Sequence, residues 1–256
     1  MPFDTAKRLS IVVPYRDRPN HLNKFVPHMV RYFQRDKVDK HIAFDITLVE
    51  QGNTLPFNAG LLKNIGFLLT KDADYHCFHD IDFLPLWADY SYPDRPTRVI
   101  WHGVQHRPVA PGSNILMYTN RETFFGGVVL FRREDFAAVN GYSNDYWGWG
   151  AEDDDLRKRC LVEGFETDHR DGTFRSIPHV SRGYDKQGES TPESLANQEL
   201  LRKRSDLMTD SAGHRDNGLN TAAYSVVKQG QIPLSDPPSN VGRVLKIVVD
   251  FERLPL

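Results

Sequence analysis

The sequence predicts an α/β fold with a mostly parallel central sheet flanked by helices, and three observations carry that expectation. Short β-branched runs alternate with helical stripes through the first 82 residues, the pattern of strands joined by crossover helices. Each run is of strand length, and the first is stopped by Pro14. The third run ends in a pair of aspartates, where ligands bind in such sheets, beyond the carboxyl ends of the strands.

The elements follow in order. Leu9–Tyr15 is a buried strand interrupted by Pro14. After Pro19-Asn20, Leu22, Phe25, Val26, Met29, Val30 and Phe33 mark one stripe of a helix. Phe44–Val49 is a second strand, and Asn58, Leu61, Leu62, Ile65, Leu68 and Leu69 give a second helical stripe. Tyr75–Phe78 is the third strand and runs into His79-Asp80-Ile81-Asp82. Pro85–Asn120 is rich in Pro, Tyr and Trp with weak periodicity, a long connection of the kind that borders a site. Val128–Phe131, entered through Gly126-Gly127, is a further core strand, and Arg133–Asn140 is a helix stopped at Gly141. Another helix starts near Glu152 and ends at Gly164. Residues 170–240 are polar apart from a helical stretch near Ser194–Leu207, and Leu245–Phe251 closes the chain as a strand. With no repeat, low-complexity tract or linker, residues 1–256 read as one domain, a half that holds the ligand at 1–85 and a second half at 86–256.

Composition narrows the function. The 256 residues carry a net charge of −2, without the basic excess of a nucleic-acid binder. No apolar stretch approaches the ~20 residues that span a bilayer. The charged Met1–Ser10 is not followed by the apolar h-region of a secretory signal, and neither a signal nor a membrane anchor is expected. Cys77 and Cys160 are too few for a disulfide framework or a thiolate zinc site, and a reducing cytoplasm is the expected location.

Two motifs carry chemistry. In Asp80-Ile81-Asp82 a period of two puts both carboxylates on one side while Ile81 returns to the core. Such hard oxygen ligands suit Mg²⁺ or Mn²⁺ holding a diphosphate, although a solvated acidic turn has the same composition. The second motif is Tyr146-Trp147-Gly148-Trp149-Gly150-Ala151-Glu152-Asp153-Asp154-Asp155. Aromatic faces there stack on the apolar side of sugar rings, and carboxylates accept sugar hydroxyls. The plainer reading is a helix N-terminus, where acids favour the macrodipole, with both tryptophans packed in the core. His179, in Ser176-Ile177-Pro178-His179, is one of ten histidines, and nothing in its surroundings singles it out.

Taken together, these blocks resemble the β-1,4-galactosyltransferase family, inverting enzymes with a GT-A type nucleotide-sugar-binding fold. Pro14-Tyr15-Arg16-Asp17-Arg18 is similar to the family's opening donor signature. Phe57-Asn58-Ala59-Gly60 with Asn64-Ile65-Gly66-Phe67 is similar to the next block. Asp80-Ile81-Asp82 resembles the metal motif, Phe125-Gly126-Gly127 the glycine pair near the sugar, and Trp147–Asp155 the acceptor and base motif. Asn217-Gly218-Leu219-Asn220 with Tyr224 resembles the C-terminal signature. His79–Leu86 leans toward the branch that extends xylose, and the chain resembles a soluble, bacterial-type member.

The resemblance implies roles. Asp153 would be the catalytic base, and Asp82 and His179 would hold Mn²⁺. Pro14, Tyr15, Arg16, Arg18, Phe57, Asn58, Asp80, Asp82, Phe124, Gly126, Gly127 and Trp149 would bind a UDP-sugar donor. Trp149, Gly150, Glu152, Asp153 and Asp154 would bind the saccharide acceptor. The segment from Ser176 to about Asn197 would close over bound donor as a lid. The chain departs from the family at Ala59, which is usually Arg, and at Phe124, commonly Tyr. It departs again at Ser176 and Ser181, where individual branches have Met and His respectively. The expected activity is galactose transfer from UDP-galactose to a sugar hydroxyl with a β-linkage. Three alternatives stay open: the same chemistry with N-acetylgalactosamine or another hexose, a metal-dependent sugar-nucleotide hydrolase, and a non-catalytic carbohydrate-binding module.

Overall fold

The fold is described from a computed structural model covering residues 7–34, 42–100, 103–106, 115–117, 123–178, 183, 189–234 and 239–253. Strand β1 (Arg8–Tyr15) leads to helix α1 (Pro19–Tyr32), β2 (Ala43–Gln51), helix α2 (Ala59–Leu69) and β3 (Tyr75–His79). These are the five elements expected, within a residue or two at each end. A run of short strands follows: β4 (Phe83–Ala88), β5 (Thr97–Arg98), β6 (Gly103–His106) and β7 (Ile115–Met117). Then come β8 (Val128–Arg132), α3 (Arg133–Ala138), α4 (Glu152–Val162), β9 (Asp168–His169), β10 (Gly172–Ser176) and α5 (Pro192–Leu207). The closing hairpin is β11 (Ser225–Gln231) and β12 (Val241–Asp250).

The strands form an eight-stranded sheet ordered β11-β12-β2-β1-β3-β8-β5-β9 and a four-stranded sheet ordered β4-β10-β6-β7. In the larger sheet β12, β2, β1 and β3 run parallel, with a register shift between Val241 and Val244 of β12, and β5 pairs parallel with β9. The sheet is mixed: β8 runs antiparallel to both β3 and β5, and β11 antiparallel to β12. Alternation along β1 divides the core. Leu9, Ile11 and Val13 pack with Phe25 and Met29 of α1, while Val12 packs with Leu62 and Ile65 of α2 on the other face. A Cβ on Gly66 would lie 2.2 Å from Val12 Cγ1, so α2 rests on β1 only because that position is glycine.

The 85–120 connection is where the structure adds most to the sequence reading. It contains β5, β6, β7 and most of β4, three of which contribute to the smaller sheet. That sheet covers the carboxyl end of β3: Ser176 of β10 pairs with Phe83, directly after Asp82. Among the described residues no helix is long and apolar enough to cross a membrane.

Candidate active site

The two acidic motifs meet in one cleft. Asp80, Ile81 and Asp82 form a turn rather than extended strand, and the turn still separates the side chains as a strand would. Ile81 is buried in the core cluster and only borders the cleft that Asp80 and Asp82 also line. Three backbone bonds fix the turn. Asp80 N donates to Gly127 O (2.8 Å), Phe83 N to Asp80 O (3.3 Å), and Ile177 N to Asp82 O (2.7 Å). The chain leading to His179 therefore leaves β10 beside the Asp82 backbone, while His179 itself lies outside the described residues.

The Trp-Gly-Trp-Gly loop is tied down from two sides. Gly148 N donates to Phe57 O (2.7 Å), and the buried Asn197 of α5 donates from Nδ2 to Trp147 O (3.0 Å) and Trp149 O (3.1 Å). Gly148 and Gly150 take φ of 88° and 98°, and Ala151, the N-cap of α4, takes 77°, a left-handed geometry that costs a residue with a Cβ. The result separates the tryptophans. Trp147 packs in the core against Phe251, and Trp149 stays 44% exposed at the cleft. A Cβ on Gly183 would meet the Trp149 ring at 2.3 Å, so backbone lies directly against that indole. Of the expected lid, Gly183 and residues 189–197 are described apart from its start at 176–178, and Pro192 already begins α5.

All four acids Glu152–Asp155 occupy the first turn of α4, as the plainer reading expects. The turn then divides them: Glu152, Asp153 and Asp154 line the cleft, and Asp155 is in the core, paired with Arg159. The cleft has a volume of ≈ 490 Å³. Of the residues the sequence singled out, Pro14, Arg16, Arg18, Phe57, Asp80, Asp82, Phe124, Gly127, Trp149, Gly150, Glu152, Asp153 and Asp154 line it.

Tyr15, Asn58 and Gly126 stand outside that lining. Tyr15 is buried in the core with Lys246 Nζ 5.0 Å from its ring centroid. Asn58 caps α2, accepting from Leu61 N (2.8 Å) and donating to Asn144 O (2.7 Å). Gly126 lies under the base motif, where a Cβ would sit 1.9 Å from Asp153 Oδ2. The C-terminal signature is structural as well: Asn217 Oδ1 accepts from Ser143 Oγ and Asn144 N, and Asn144 Nδ2 donates to Gly218 O.

The residue that the sequence reading passed over is Lys63. It is buried on α2, with Nζ 3.7 Å from Asp80 Oδ1, 3.6 Å from Asp153 Oδ1 and 4.7 Å from the Tyr142 ring centroid. Burial alone would lower its pKa, but Tyr142, Asp153, Asp80 and Glu152 more than offset this and hold it well above the ordinary lysine value. Burial pushes the Asp80 carboxyl up to about 6, with Lys63 pulling down and Asp82 and Glu152 pushing up. Burial pushes Asp153 well above the carboxylate range too, opposed by Lys63 and reinforced by Glu152, Asp80 and Asp154.

This crowding bears on a metal. Among the described residues no group of three or more His, Cys, Asp or Glu is arranged to hold an ion. The oxygens present nevertheless fit a hard divalent cation: Asp80, Asp82, Glu152, Asp153 and Asp154 line one cleft, and burial first, then repulsion among them, lifts Asp80 and Asp153 toward protonation.

Comparison with known proteins agrees with this geometry. The model described as "N-terminal region of glycosyl transferase group 7" matches residues 3–92, and "N-terminal domain of galactosyltransferase" matches residues 111–182. β-1,4-Galactosyltransferase 7 of Drosophila melanogaster is 31% identical over 248 residues, spanning 94% of this chain and 70% of the relative. Its Homo sapiens counterpart is 30% identical over 249 residues, spanning 96% and 69%. A solved mutant of the Drosophila enzyme, in complex with manganese, UDP-Gal and xylobiose, aligns with a TM-score of 0.74 at 27% identity, covering 96% of this chain and 95% of that one.

Proposed function

The chain belongs to the β-1,4-galactosyltransferase family, and from that premise we propose that it transfers galactose from UDP-galactose to a saccharide hydroxyl, with inversion and with Mn²⁺ as cofactor. The observation that carries the reading is the meeting, in one cleft, of the aspartates that end β3 with Asp153 in the first turn of α4 and the exposed Trp149 beside them. A binding module needs no carboxylate positioned to take a proton beside a metal site, whereas a transferase does.

In this reading Asp82, with His179, holds the metal, and Asp80 supports the donor nucleotide. Arg16 and Arg18, both on the cleft, face the diphosphate. A bound divalent ion supplies neutralisation of the charge that develops on the departing diphosphate. The acceptor oxygen attacks the anomeric carbon as the bond to the diphosphate breaks, and its proton passes to the Asp153 carboxylate. One displacement turns an α-linked donor into a β-linked product. Trp149 stacks on sugar, and Glu152 and Asp154 accept hydroxyls of the acceptor.

The proposed acceptor is a xylose-terminated saccharide. The xylobiose bound by the Drosophila relative supports this, as does the His79–Leu86 block. The test is UDP release from UDP-galactose and Mn²⁺ across a panel of monosaccharides and xylosides, with the product linkage read by NMR. Acceptor-dependent release and a β-linked product are expected. Equal release without acceptor would make the protein a hydrolase, and an α-linked product would remove the inverting mechanism.

A further inference from the structure

The unabsorbed feature of this site is a buried lysine. Gly60–Phe67 of α2 are all buried, so a lysine in their midst has no route to solvent. A buried ammonium persists only with compensating charge, and Lys63 draws it from two elements far apart in sequence. Asp80 comes from the end of β3 and Asp153 from the start of α4, and Nζ stands 3.7 Å and 3.6 Å from their Oδ1 atoms.

Asp153 is confined by the same arrangement. Its Oδ2 lies over Gly126, so close that a Cβ there would be at 1.9 Å. Its Oδ1 is buried with no hydrogen-bond partner among the described residues, and the Lys63 ammonium is what compensates it. The charged or titratable groups facing Asp153 are Lys63 from α2, Tyr142 from the loop after α3, Asp80 from the end of β3, and Glu152 and Asp154 from its own helix. Of these, Lys63 alone is positive.

We propose that Lys63 is a positioning residue for the transfer: its ammonium is the fixed counter-charge that makes the ionised, proton-accepting form of Asp153 accessible and ties it to the donor-end residue Asp80. The proposal rests on the reading of Asp153 as the base. Lys63 is not among the residues that line the cleft, and acts through the carboxylates it holds. A helix-borne cation under the base lets this site gather its acids before any ion or donor arrives.

The test is the pH dependence of kcat/KM at saturating Mn²⁺, whose acid limb reports the ionisation of the base in the free enzyme. Removing a cation raises the pKa of a neighbouring carboxyl, so Lys63→Met should move the acid limb upward by about one unit or more. Activity on that limb should fall by about tenfold or more and recover toward wild type on the alkaline side. Lys63→Arg, which keeps the charge, should leave the limb where it is. If Lys63→Met does not fold, Lys63→Gln carries the same expectation. A loss by the same factor at every pH, or a limb that does not move, would overturn the proposal and leave Lys63 a packing residue. Asp153→Asn separates this failure from a failure of the function. An Asp153→Asn enzyme with wild-type turnover would remove the base assignment itself, whereas an inactive one beside an unmoved limb in Lys63→Met would remove only the role of Lys63.

Discussion

The first turn of α4 presents two carboxylates, Asp153 and Asp155, to two different worlds. Two residues along a helix are about 200° apart, so one falls on the core side when the other faces the cleft. On the core side Asp155 receives Arg159 Nε at 2.6 Å, Arg204 Nε at 3.3 Å and the Tyr146 hydroxyl at 3.0 Å. Arg159 is further satisfied by the carbonyls of Gly141 and Asn217. There Arg159 hydrogen-bonds Asp155, and Arg204 is shared between Asp155 and Asp145. On the cleft side the buried Lys63 serves both Asp80 and Asp153 at 3.6–3.7 Å, Arg18 also acts on Asp80, and Glu152 adds to the charge around them. The contrast teaches that a run of like acids is not one feature. The half whose charge is met inside the protein builds the fold, and the half left in excess is available to a metal, a donor and a proton.

The sharpest way to break this comparison is to neutralise each acid in turn. Asp153→Asn keeps shape and hydrogen-bonding capacity but accepts no proton, so transfer should fall by ~10²–10⁴ while the fold and donor binding persist. A loss of less than about tenfold would move the base to a neighbour such as Glu152. The stability effect should have the opposite sign from the usual one. Because Asp153 is held above its unfolded pKa, the stability it contributes is complete below the ordinary carboxylate range and is lost as pH rises through the raised value. Metal-free Asp153→Asn should therefore gain more in melting temperature over wild type at alkaline pH than at acidic pH. An equal change at both pH values would contradict the crowding.

Asp155→Ala should behave in the reverse manner. Removing one member of a buried, hydrogen-bonded ion pair leaves Arg159 without its carboxylate, while Arg204 keeps Asp145, at a cost of about 3–5 kcal/mol. Denaturant melts at neutral pH should show that loss, with activity falling only as the folded fraction falls. A stable Asp155→Ala protein with impaired turnover would erase the distinction between the two sides.

Much of this was legible in the sequence, for reasons that differ by region. The β1-α1-β2-α2-β3 half follows from periodicity, because strands buried on both faces and helices with one apolar stripe write their patterns plainly. The strands of the second half do not. β5 and β9 are two residues each, β4 carries Pro85 within it, and every residue of β11 is exposed, so no apolar alternation marks them. The site was found by motif, and the plainer reading was half correct: Trp147 and Asp155 belong to the core, Trp149 and Asp153 to the cleft. Lys63 was missed because a lysine inside a helix is read as a solvent-facing position. The signal was the helix around it, where Ala-Gly-Leu-Leu-Lys-Asn-Ile-Gly-Phe-Leu-Leu leaves no polar face for a lysine to occupy.

A smaller effect should separate Asp82 from its neighbours on the cleft side. Asp82 ends the turn held by Ile177, at the point where β10 delivers the chain toward His179. Asp82→Ala should abolish the increase in donor affinity that Mn²⁺ brings, with the fold intact. Calorimetric titration of UDP-galactose with and without Mn²⁺ reads it directly. An undiminished metal-dependent gain in the mutant would move the metal away from Asp82.

The smallest expected effect concerns Phe124 and donor choice, where adjacent residues repeat the division between cleft and core. Phe125 is buried in the core against Phe131, and Phe124 lines the cleft. Phe124 is held from below: its carbonyl accepts from Nη1 of the buried Arg98, whose guanidinium lies 5.5 Å from the ring centroid. A ring fixed in that way presents constant bulk to the sugar, and by the family resemblance that bulk stands beside the C2 substituent of the donor. Phenylalanine keeps the volume of tyrosine without its hydroxyl, so galactose should be preferred over N-acetylgalactosamine with moderate leakage. Phe124→Leu should shift the ratio of kcat/KM toward UDP-N-acetylgalactosamine by about tenfold, the low end of what a single methylene in a pocket is worth. Phe125→Leu, one residue on, should leave the ratio unchanged and lower stability instead, by about 1 kcal/mol. If the two substitutions gave the same ratio, Phe124 would be packing like its neighbour, and donor selection would lie elsewhere on the cleft wall.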